Sequence, residues 1–224
     1  MRYEILTKPS YSLVEVALDG GEQIVGDSGA MAWMEGDIET TTSTRGGFLA
    51  GMKRKLLSGE SFFQNTFTAG GRGGRIGFAP GIPGDVLSHE LEDGELFLQK
   101  GAYLASTPGI ECNSKFEGLR GLFSNGLFVL RCTGTGLMFF HAYGDIQQVE
   151  VDGDYLLDNG YAVAWQPSLQ WEMTRARRKI RAFLFGDQLL LRFRGRGTLW
   201  VQSRSPHTLA NFAHPYRPVK RNND

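Results

Sequence analysis

Two sequence phrases alternate three times along this chain, and the alternation constrains the fold more than any other feature. The first phrase opens with a glycine and an acid, and it occurs at residues 21–34, 94–106 and 153–165. The second phrase is rich in closely spaced glycines, and it occurs at residues 67–79, 130–140 and 191–201. Such self-similarity indicates a repeated supersecondary unit that buries its apolar face only against neighbouring units.

The spacing of the phrases divides the chain into three units. The reference glycines of the second phrase lie about sixty residues apart, at Gly71, Gly134 and Gly195. Those of the first phrase, Gly29, Gly101 and Gly160, are 72 and then 59 residues apart, which indicates an insertion at 40–61 in the first unit. We therefore predict one β domain over 1–205, with units at about 1–80, 81–143 and 144–205. Residues 206–224 are predicted to form a partly disordered tail.

Short β-rich segments bounded by turn residues indicate an all-β fold. Segments such as 12–18 and 197–203 follow one another at short, regular spacing, which favours a sandwich or barrel over a βαβ architecture. The predicted class is a β-sandwich or barrel of the double-stranded β-helix type, built from three internal pseudo-repeats. The chain holds 30 glycines in 224 residues, and we expect them to mark turns. The segment 68–81 lacks the GK[ST] sequence of a phosphate-binding loop and is predicted to be a β-turn.

The net charge of zero conceals a strong asymmetry along the sequence. Residues 174–224 carry twelve Lys and Arg against two acids, whereas residues 1–173 carry twelve against twenty-two. An uneven distribution of this kind indicates either an anionic partner or self-complementary surfaces.

The basic third of the chain contains a predicted hairpin, 177–185 and 188–196, joined at Gly186 and Asp187. In that register six basic residues share one face and meet as three pairs: Arg181 with Arg192, Lys179 with Arg194, and Arg177 with Arg196. Like charges placed opposite each other destabilise a sheet, so this face needs compensation. The chain's own acids, within one molecule or across an oligomer interface, an anionic ligand or nucleic acid, and plain solvation are the three alternatives.

The insertion at 40–61 is the second candidate site. On a helix, its apolar residues would share one face and its basic residues would lie near the opposite face, as in a segment that binds an anionic membrane or a partner. The residues concerned are Phe48, Leu49, Met52, Lys53, Arg54 and Lys55. The alternative is a long solvated loop, which four glycines in the segment favour.

Catalytic and metal-binding patterns are lacking. Cys112 and Cys132 form no C-x-x-C motif and are predicted to be two reduced thiols. The four histidines lack zinc-type spacing, and His141 is expected to be a hydrogen-bonded strand or turn residue, with a catalytic pairing to Asp145 as the alternative. We predict no enzyme activity, no cofactor and no metal. The chain has neither a membrane-spanning run nor a secretory signal, so we expect a cytoplasmic protein.

Three segments resemble one known family. The basic, glycine-rich segment 45–67 with its GES run, together with 153–165 and 195–203, is similar to the mitochondrial-biogenesis family named for altered inheritance of mitochondria. The resemblance implies a β-sandwich or double-stranded β-helix fold like that of the tryptophan RNA-binding attenuation proteins, and it implies oligomerisation. It supplies no catalytic residues. The inner-membrane role of the mitochondrial member is not expected to transfer, because this chain lacks a transit peptide.

These observations favour a non-enzymatic scaffold or binding protein that forms a closed homo-oligomer, with a trimer as the first expectation. The charge asymmetry suggests a head-to-tail contact between the basic third unit and acidic surfaces of a neighbouring copy. The alternative is a protein that binds an anion, a nucleic acid or anionic lipid through the basic face at 177–196. No specific small-molecule ligand is predicted.

Overall fold

The computed structural model describes residues 1–43, 64–113, 128–175 and 189–217, and most of these residues lie in β-strands. The strands are β1 (Arg2–Leu6), β2 (Leu13–Leu18), β3 (Gln23–Asp27), β4 (Met31–Ser43), β5 (Gln64–Phe78), β6 (Val86–Gln99), β7 (Tyr103–Ser106), β8 (Ile110–Asn113), β9 (Val129–His141), β10 (Ile146–Asp158), β11 (Ala162–Trp165), β12 (Gln170–Arg175) and β13 (Leu189–Gln202). The described part of the chain also contains a short helix, α1 (Pro206–Ala213). The prediction of an all-β fold is confirmed.

Alternation of apolar and polar residues explains why these segments form strands. In β2, Val14, Val16 and Leu18 are buried, while the residues between them are partly exposed. Successive side chains of a strand point to opposite faces, so this pattern places one face of β2 against the core.

Strands β2 to β13 fall into three consecutive groups that pair in the same way. In each group one long strand is central: β5 in the first, β9 in the second and β13 in the third. The strands that come first in each group pair antiparallel with one side of the central strand, as β2 and β3, β6, and β10. The strands that follow pair with its other side, as β4, β7 with β8, and β11 with β12.

Two junctions join the groups, and they have the same register. Between the first and second groups, Val25 pairs with Ser106 and Gly26 with Ala105. Between the second and third groups, Phe97 pairs with Trp165 and Leu98 with Ala164. The paired positions are equivalent at both junctions. Val25 and Phe97 lie equally far before the glycines Gly29 and Gly101 of the first phrase, and Ser106 and Trp165 lie equally far after Gly101 and Gly160. The sheet thus continues from group to group by one kind of backbone pairing.

Each buried cluster draws residues from more than one group. Val86 and Phe139 of the second group lie in the cluster formed by the first. Trp200 of the third group lies in the cluster of the second, and Val129 of the second lies in that of the third. A few strands alone cannot bury both faces of a sheet, and the shared clusters supply the missing cover.

The closely spaced glycines lie inside the long central strands, so the prediction that they form turns is wrong. Segment 68–81 runs largely within β5, and Gly134 and Gly195 lie within β9 and β13. Gly134 has φ +123°, and a Cβ there would collide with the carbonyl oxygen of Gly109. Glycine within a strand therefore allows a second backbone to approach closely.

The structure describes parts of the predicted insertion and of the predicted tail. Residues 40–43, assigned to the insertion, belong to β4 and pair with β5. The rest of the insertion, with all six of its candidate residues, lies outside the described residues. Residues 206–213 of the predicted tail form α1, and Pro206 in its first turn suits a helix start because its missing N–H would have no partner there.

The two cysteines form a disulfide, so the prediction of reduced thiols is wrong. Cys112 in β8 lies directly opposite Cys132 in β9, and their Cα atoms are 4.1 Å apart. Sequence spacing did not reveal the pair because cross-strand register, and not proximity in sequence, brings the two residues together. Disulfides are typical of oxidising compartments, so the pair does not favour the predicted cytoplasmic location.

Candidate functional site

The described half of the basic face lies on β13, but its strand partners differ from those predicted. Arg192, Arg194 and Arg196 alternate along β13, as expected for residues on one face. On one side of the strand, β10 places Asp154 opposite Arg194 and Asp152 opposite Arg196. On the other side, β12 runs opposite residues 189–194, so the predicted pairing of arginine with basic residues at these positions is wrong.

Acidic side chains of the same molecule neutralise these three arginines. Arg192 Nε lies 3.1 Å from Asp154 Oδ1, and Arg194 Nη2 lies 3.1 Å from Glu172 Oε1. The Arg196 guanidinium donates a hydrogen bond of 2.9 Å from Nε to Asp152 Oδ1. Of the three alternatives for neutralising the basic face, acids of the same chain therefore apply to its described half. Arg177, Lys179 and Arg181 lie outside the described residues.

The other acids near this face have structural roles of their own. Glu150 accepts hydrogen bonds from the Thr198 hydroxyl. The Asp158 carboxylate accepts a hydrogen bond of 2.8 Å from the backbone N–H of Gly160 and so stabilises the turn after β10. The described surface of β10, β12 and β13 is thus a mixed array of both charges and not a basic patch.

A second feature is the unpaired edge of β4 and that of β10. Of the four positions of β4 that correspond to β7 and β11, three are exposed, with Met31 at 39% and Met34 at 44%, and Trp33 is half-buried. In contrast, every residue of β7 and β11 is buried. On β10, Leu156 is 43% exposed. Its counterparts Val25 in β3 and Phe97 in β6 are instead paired with a strand of the next group. Within the described ranges, the edge of β10 away from β13 and the edge of β4 away from β5 pair with no strand.

A third feature is a cavity of about 440 Å³, where the turns of all three groups meet. Asp27 at the end of β3, Gly101 after β6 and Gly160 after β10 line the cavity. His141, the last residue of β9, is 8% exposed and also lines it. Burial lowers the pKa of His141 to about 4, and a hydrogen bond with the Gly101 backbone opposes that shift.

The sequence interpretation of His141 is only partly right. His141 does end a strand, but among the described residues its Nδ1 atom has no hydrogen-bond partner. Asp145, the alternative catalytic partner, is exposed, and its backbone N–H bonds to Ser203. The repeated first phrase was the sequence signal for the three turns that line the cavity with His141. The position of His141 in a strand could not reveal that Nδ1 has no partner. The described residues contain no cluster of three or more His, Cys, Asp or Glu suited to a metal ion.

The fold and these sites define an all-β protein with unpaired strand edges on β4 and β10 and a cavity lined by the turns of its three strand groups. The chain belongs to the mitochondrial biogenesis AIM24 family, whose sequence profile matches residues 3–204. An uncharacterized protein of Streptococcus pyogenes serotype M6 is 27% identical over 232 residues, which cover 99% of this chain and 93% of that protein. The crystal structure of another Streptococcus pyogenes protein, a structural genomics target, matches with a TM-score of 0.80 and 25% identity, covering 96% of this chain and 99% of that one.

These comparisons confirm the predicted family and leave the activity open. Neither relative has an assigned function in its name, so the prediction of a non-enzymatic protein stays a prediction. In the ranges described above, no helix has both the length and the apolar character needed to cross a membrane.

Proposed function

We propose that this protein is a non-enzymatic oligomeric scaffold or binding protein, formed by copies joined head to tail into a closed ring. We further propose that its three strand groups are pseudo-repeats of a double-stranded β-helix arrangement like that of the tryptophan RNA-binding attenuation proteins, with units at about 1–80, 81–143 and 144–205. The common pairing pattern of the three groups supports this interpretation. A trimer is the assembly that we expect.

The register of the two internal junctions is the observation that carries the proposal. If β10 of one copy pairs with β4 of another in the register of the two internal junctions, Leu157 lies opposite Trp33 and Leu156 lies opposite Met34. Trp33 and Met34 lie on the unpaired edge of β4, and Leu156 and Leu157 lie on that of β10. A contact that joins two different edges is heterologous, and it closes into a ring when the rotation between copies allows it.

Exposure of apolar side chains supports the same contact. Unpaired edges with apolar side chains are a template for pairing with another chain, and natural proteins usually protect them. Leu156 and Met34 are each more than 40% exposed. The β4 edge is apolar from Met31 to Met34, with Glu35 following. A second copy would cover both edges with the kind of pairing that covers their counterparts.

The alternative function, binding of an anion, nucleic acid or anionic lipid through residues 177–196, has less support. It needs a net positive surface, whereas the three described arginines are each paired with a carboxylate. The charge asymmetry of the sequence had suggested a contact between copies through the charged face. Because its described arginines are already paired, we place the contact at the apolar edges instead.

Disulfide cross-linking tests the proposed register. In a Met34→Cys, Leu156→Cys variant, oxidation should link copies covalently, because directly paired residues on antiparallel strands bring their Cβ atoms within disulfide range. Denaturing electrophoresis without reductant should show dimers and linear trimers, and a ring closed by three bonds should migrate separately from the linear trimer.

A matched control replaces one edge position only. In Tyr11→Cys, Leu156→Cys, the first cysteine occupies a residue that is 73% exposed and lies outside both edges. Under the same oxidation this variant should migrate mainly as single chains that carry no covalent link. Equal cross-linking of the two variants, or a single chain mass for the unmodified protein by light scattering at micromolar concentration, would rule out the proposed contact.

A further inference from the structure

Helix α1 has an apolar face that no described part of the protein covers. Every residue of α1 is exposed, and none of its side chains belongs to the three buried clusters. Leu209 is 45% exposed, Phe212 68%, and Tyr216, in the turn that follows the helix, 76%. Residues three, four or seven apart share one side of a helix. These three side chains therefore form one exposed stripe, and the rings of Phe212 and Tyr216 lie 5.7 Å apart along it.

The opposite face of the same segment is polar and carries no negative charge. Thr208, Asn211 and His214 recur every three residues on that face. The sequence from residue 189 to residue 223 contains neither Asp nor Glu. A helix that is apolar on one side, polar on the other and free of acids has the composition of a segment that lies at a lipid surface.

Positive charge flanks the helix on both sides. Arg204 lies just before α1 and Arg217 just after the turn that follows it, and both side chains are exposed. Arg204 donates a hydrogen bond of 3.0 Å to the carbonyl oxygen of Ser203, which leaves its charge uncompensated. Unlike the described arginines of β13, neither residue forms an ion pair with a carboxylate of the described ranges. These two charges are therefore available to an anionic partner.

A second copy of the chain offers no matching apolar surface among its described residues. Met31, Met34 and Leu156 belong to the proposed contact between strand edges. Tyr3 packs its ring against a buried phenylalanine. Outside α1 and its following turn, Tyr11 is then the one large apolar residue of the described ranges that is exposed and unassigned. A single side chain cannot cover the stripe.

Two α1 helices are also poorly matched to each other. In an antiparallel pair, Arg204 of one copy would approach Arg217 of the other, and in a parallel pair each arginine would approach its equivalent. Both arrangements bring like charges together with no acid between residues 189 and 223 to separate them. The charge of this segment instead complements a negatively charged surface.

We infer that α1 lies on the surface of an anionic lipid bilayer. Leu209, Phe212 and Tyr216 enter the boundary between headgroups and acyl chains, while Arg204 and Arg217 contact the lipid phosphates. The eight residues of α1 extend about 12 Å, so the helix cannot cross a hydrocarbon core of about 30 Å. This inference goes beyond the proposed ring and does not depend on it, because none of these residues lies on the unpaired edges of β4 and β10.

Flotation of the full-length protein with lipid vesicles tests the inference. In 0.1 M NaCl the protein should float with vesicles of phosphatidylcholine and phosphatidylglycerol mixed two to one, and not with vesicles of phosphatidylcholine alone. Raising NaCl to 1 M should weaken binding about tenfold, because salt screens the attraction between the arginines and the lipid phosphates.

Paired substitutions locate the contact on α1. Leu209→Ser, Phe212→Ser should weaken binding to the anionic vesicles at least about tenfold, because it removes most of the apolar stripe. Arg204→Gln and Arg217→Gln should each weaken binding about fivefold. The matched control Thr208→Ser, Asn211→Ser changes the polar face and should leave binding unchanged. All of these side chains are exposed and follow the last strand, so the sheet should fold in every variant.

A fluorescent label tests which face meets the lipid. The two native cysteines form a disulfide, so a single added thiol can be labelled with an environment-sensitive fluorophore. Emission from labelled Leu209→Cys should rise on anionic vesicles, because that position enters the apolar boundary. Emission from labelled Asn211→Cys, on the opposite face, should change little.

The inference fails if the wild type does not float with anionic vesicles in 0.1 M NaCl, or if it floats equally with phosphatidylcholine alone. Equal binding by Leu209→Ser, Phe212→Ser and its control, or an equal response of the two labelled positions, would place the lipid contact on another surface. A fall in assembled mass by light scattering in Leu209→Ser, Phe212→Ser, with no vesicle binding by the wild type, would assign the apolar face to a contact between copies instead.

Discussion

At the scale of single residues, His141 links burial to a measurable dependence on pH. Its side chain is almost fully buried at the end of β9, and burial lowers its pKa to about 4. Its ordinary pKa is about 6.5. Between these two values the unfolded chain binds a proton that the folded chain does not bind. The folded protein should therefore lose stability as the pH falls through this interval.

The prediction for His141 has a size and a sign. The contribution of His141 to the free energy of unfolding is constant above about pH 6.5. It falls by about 3 kcal/mol by pH 4, because one pKa unit corresponds to about 1.4 kcal/mol. Urea unfolding of the wild type and of His141→Leu at several pH values measures the difference between them. His89→Leu is the control, since burial also lowers the pKa of His89, but this residue is only half-buried. Parallel pH profiles for the wild type and His141→Leu would contradict the prediction.

Glycine shows why single positions were hard to interpret from the sequence. The sequence analysis assigned Gly134 and Gly195 to the second phrase and predicted that they form turns. Their positive φ values, +123° and +110°, occur inside strands. The reason for glycine at position 134 is the close approach of the Gly109 backbone. That approach depends on a different strand, so no local pattern could predict it.

At the scale of elements, the Cys112–Cys132 disulfide should stabilise the second strand group. The bond joins β8 to β9 and closes a loop with a sequence separation of 20 residues. Loop-closure entropy in the unfolded chain corresponds to about 3 kcal/mol for a loop of this length. Chemical denaturation with and without reductant should show a loss of stability of this order on reduction.

A double variant separates the disulfide from other effects of reductant. Cys112→Ala, Cys132→Ala should be less stable than the oxidised wild type and insensitive to reductant. Free thiol titration of the unreduced, unfolded wild type should find no reactive cysteine. Two reactive thiols there would support the original prediction of reduced cysteines.

The arginine strand shows which part of an element the sequence could predict. Alternation placed Arg192, Arg194 and Arg196 on one face of one strand, and the structure agrees. The partner strands were wrong, because a two-residue turn at 186–187 was taken to set the register. Instead, β10 and β12 occupy the two sides of β13 over residues 190–194. Register in a sheet depends on all neighbouring strands, and the sequence showed only the nearest one.

At the scale of the whole molecule, salt dependence distinguishes apolar edge pairing from charge pairing. The described ion pairs on β13 lie within one chain and are partly exposed, so they contribute little to assembly. In 1 M NaCl the screening length is only about 3 Å, and contacts between exposed charges are largely lost. We expect the mass of the assembly by light scattering to be the same in 0.1 M and 1 M NaCl.

Charge reversal and an edge variant complete this comparison. Arg192→Glu, Arg194→Glu should keep the assembled mass, because neither residue lies at the proposed contact. Met34→Asp should dissociate the assembly into single chains, because it places a charge in an apolar edge, whereas Tyr11→Asp should leave the mass unchanged. An assembly that dissociates in 1 M NaCl would favour contact through the charged face instead.

The repeated junction register also determines how such an assembly responds to dilution. The two internal junctions join parts of one chain, so covalent connection gives them an effective concentration in the millimolar range. The proposed third junction joins separate molecules and has only the concentration of the protein in solution. Dilution would therefore divide a ring at every third junction, into intact chains and never into single units. The smallest exchangeable part of the assembly is then set by where the polypeptide is continuous, although the backbone pairing is the same at every junction.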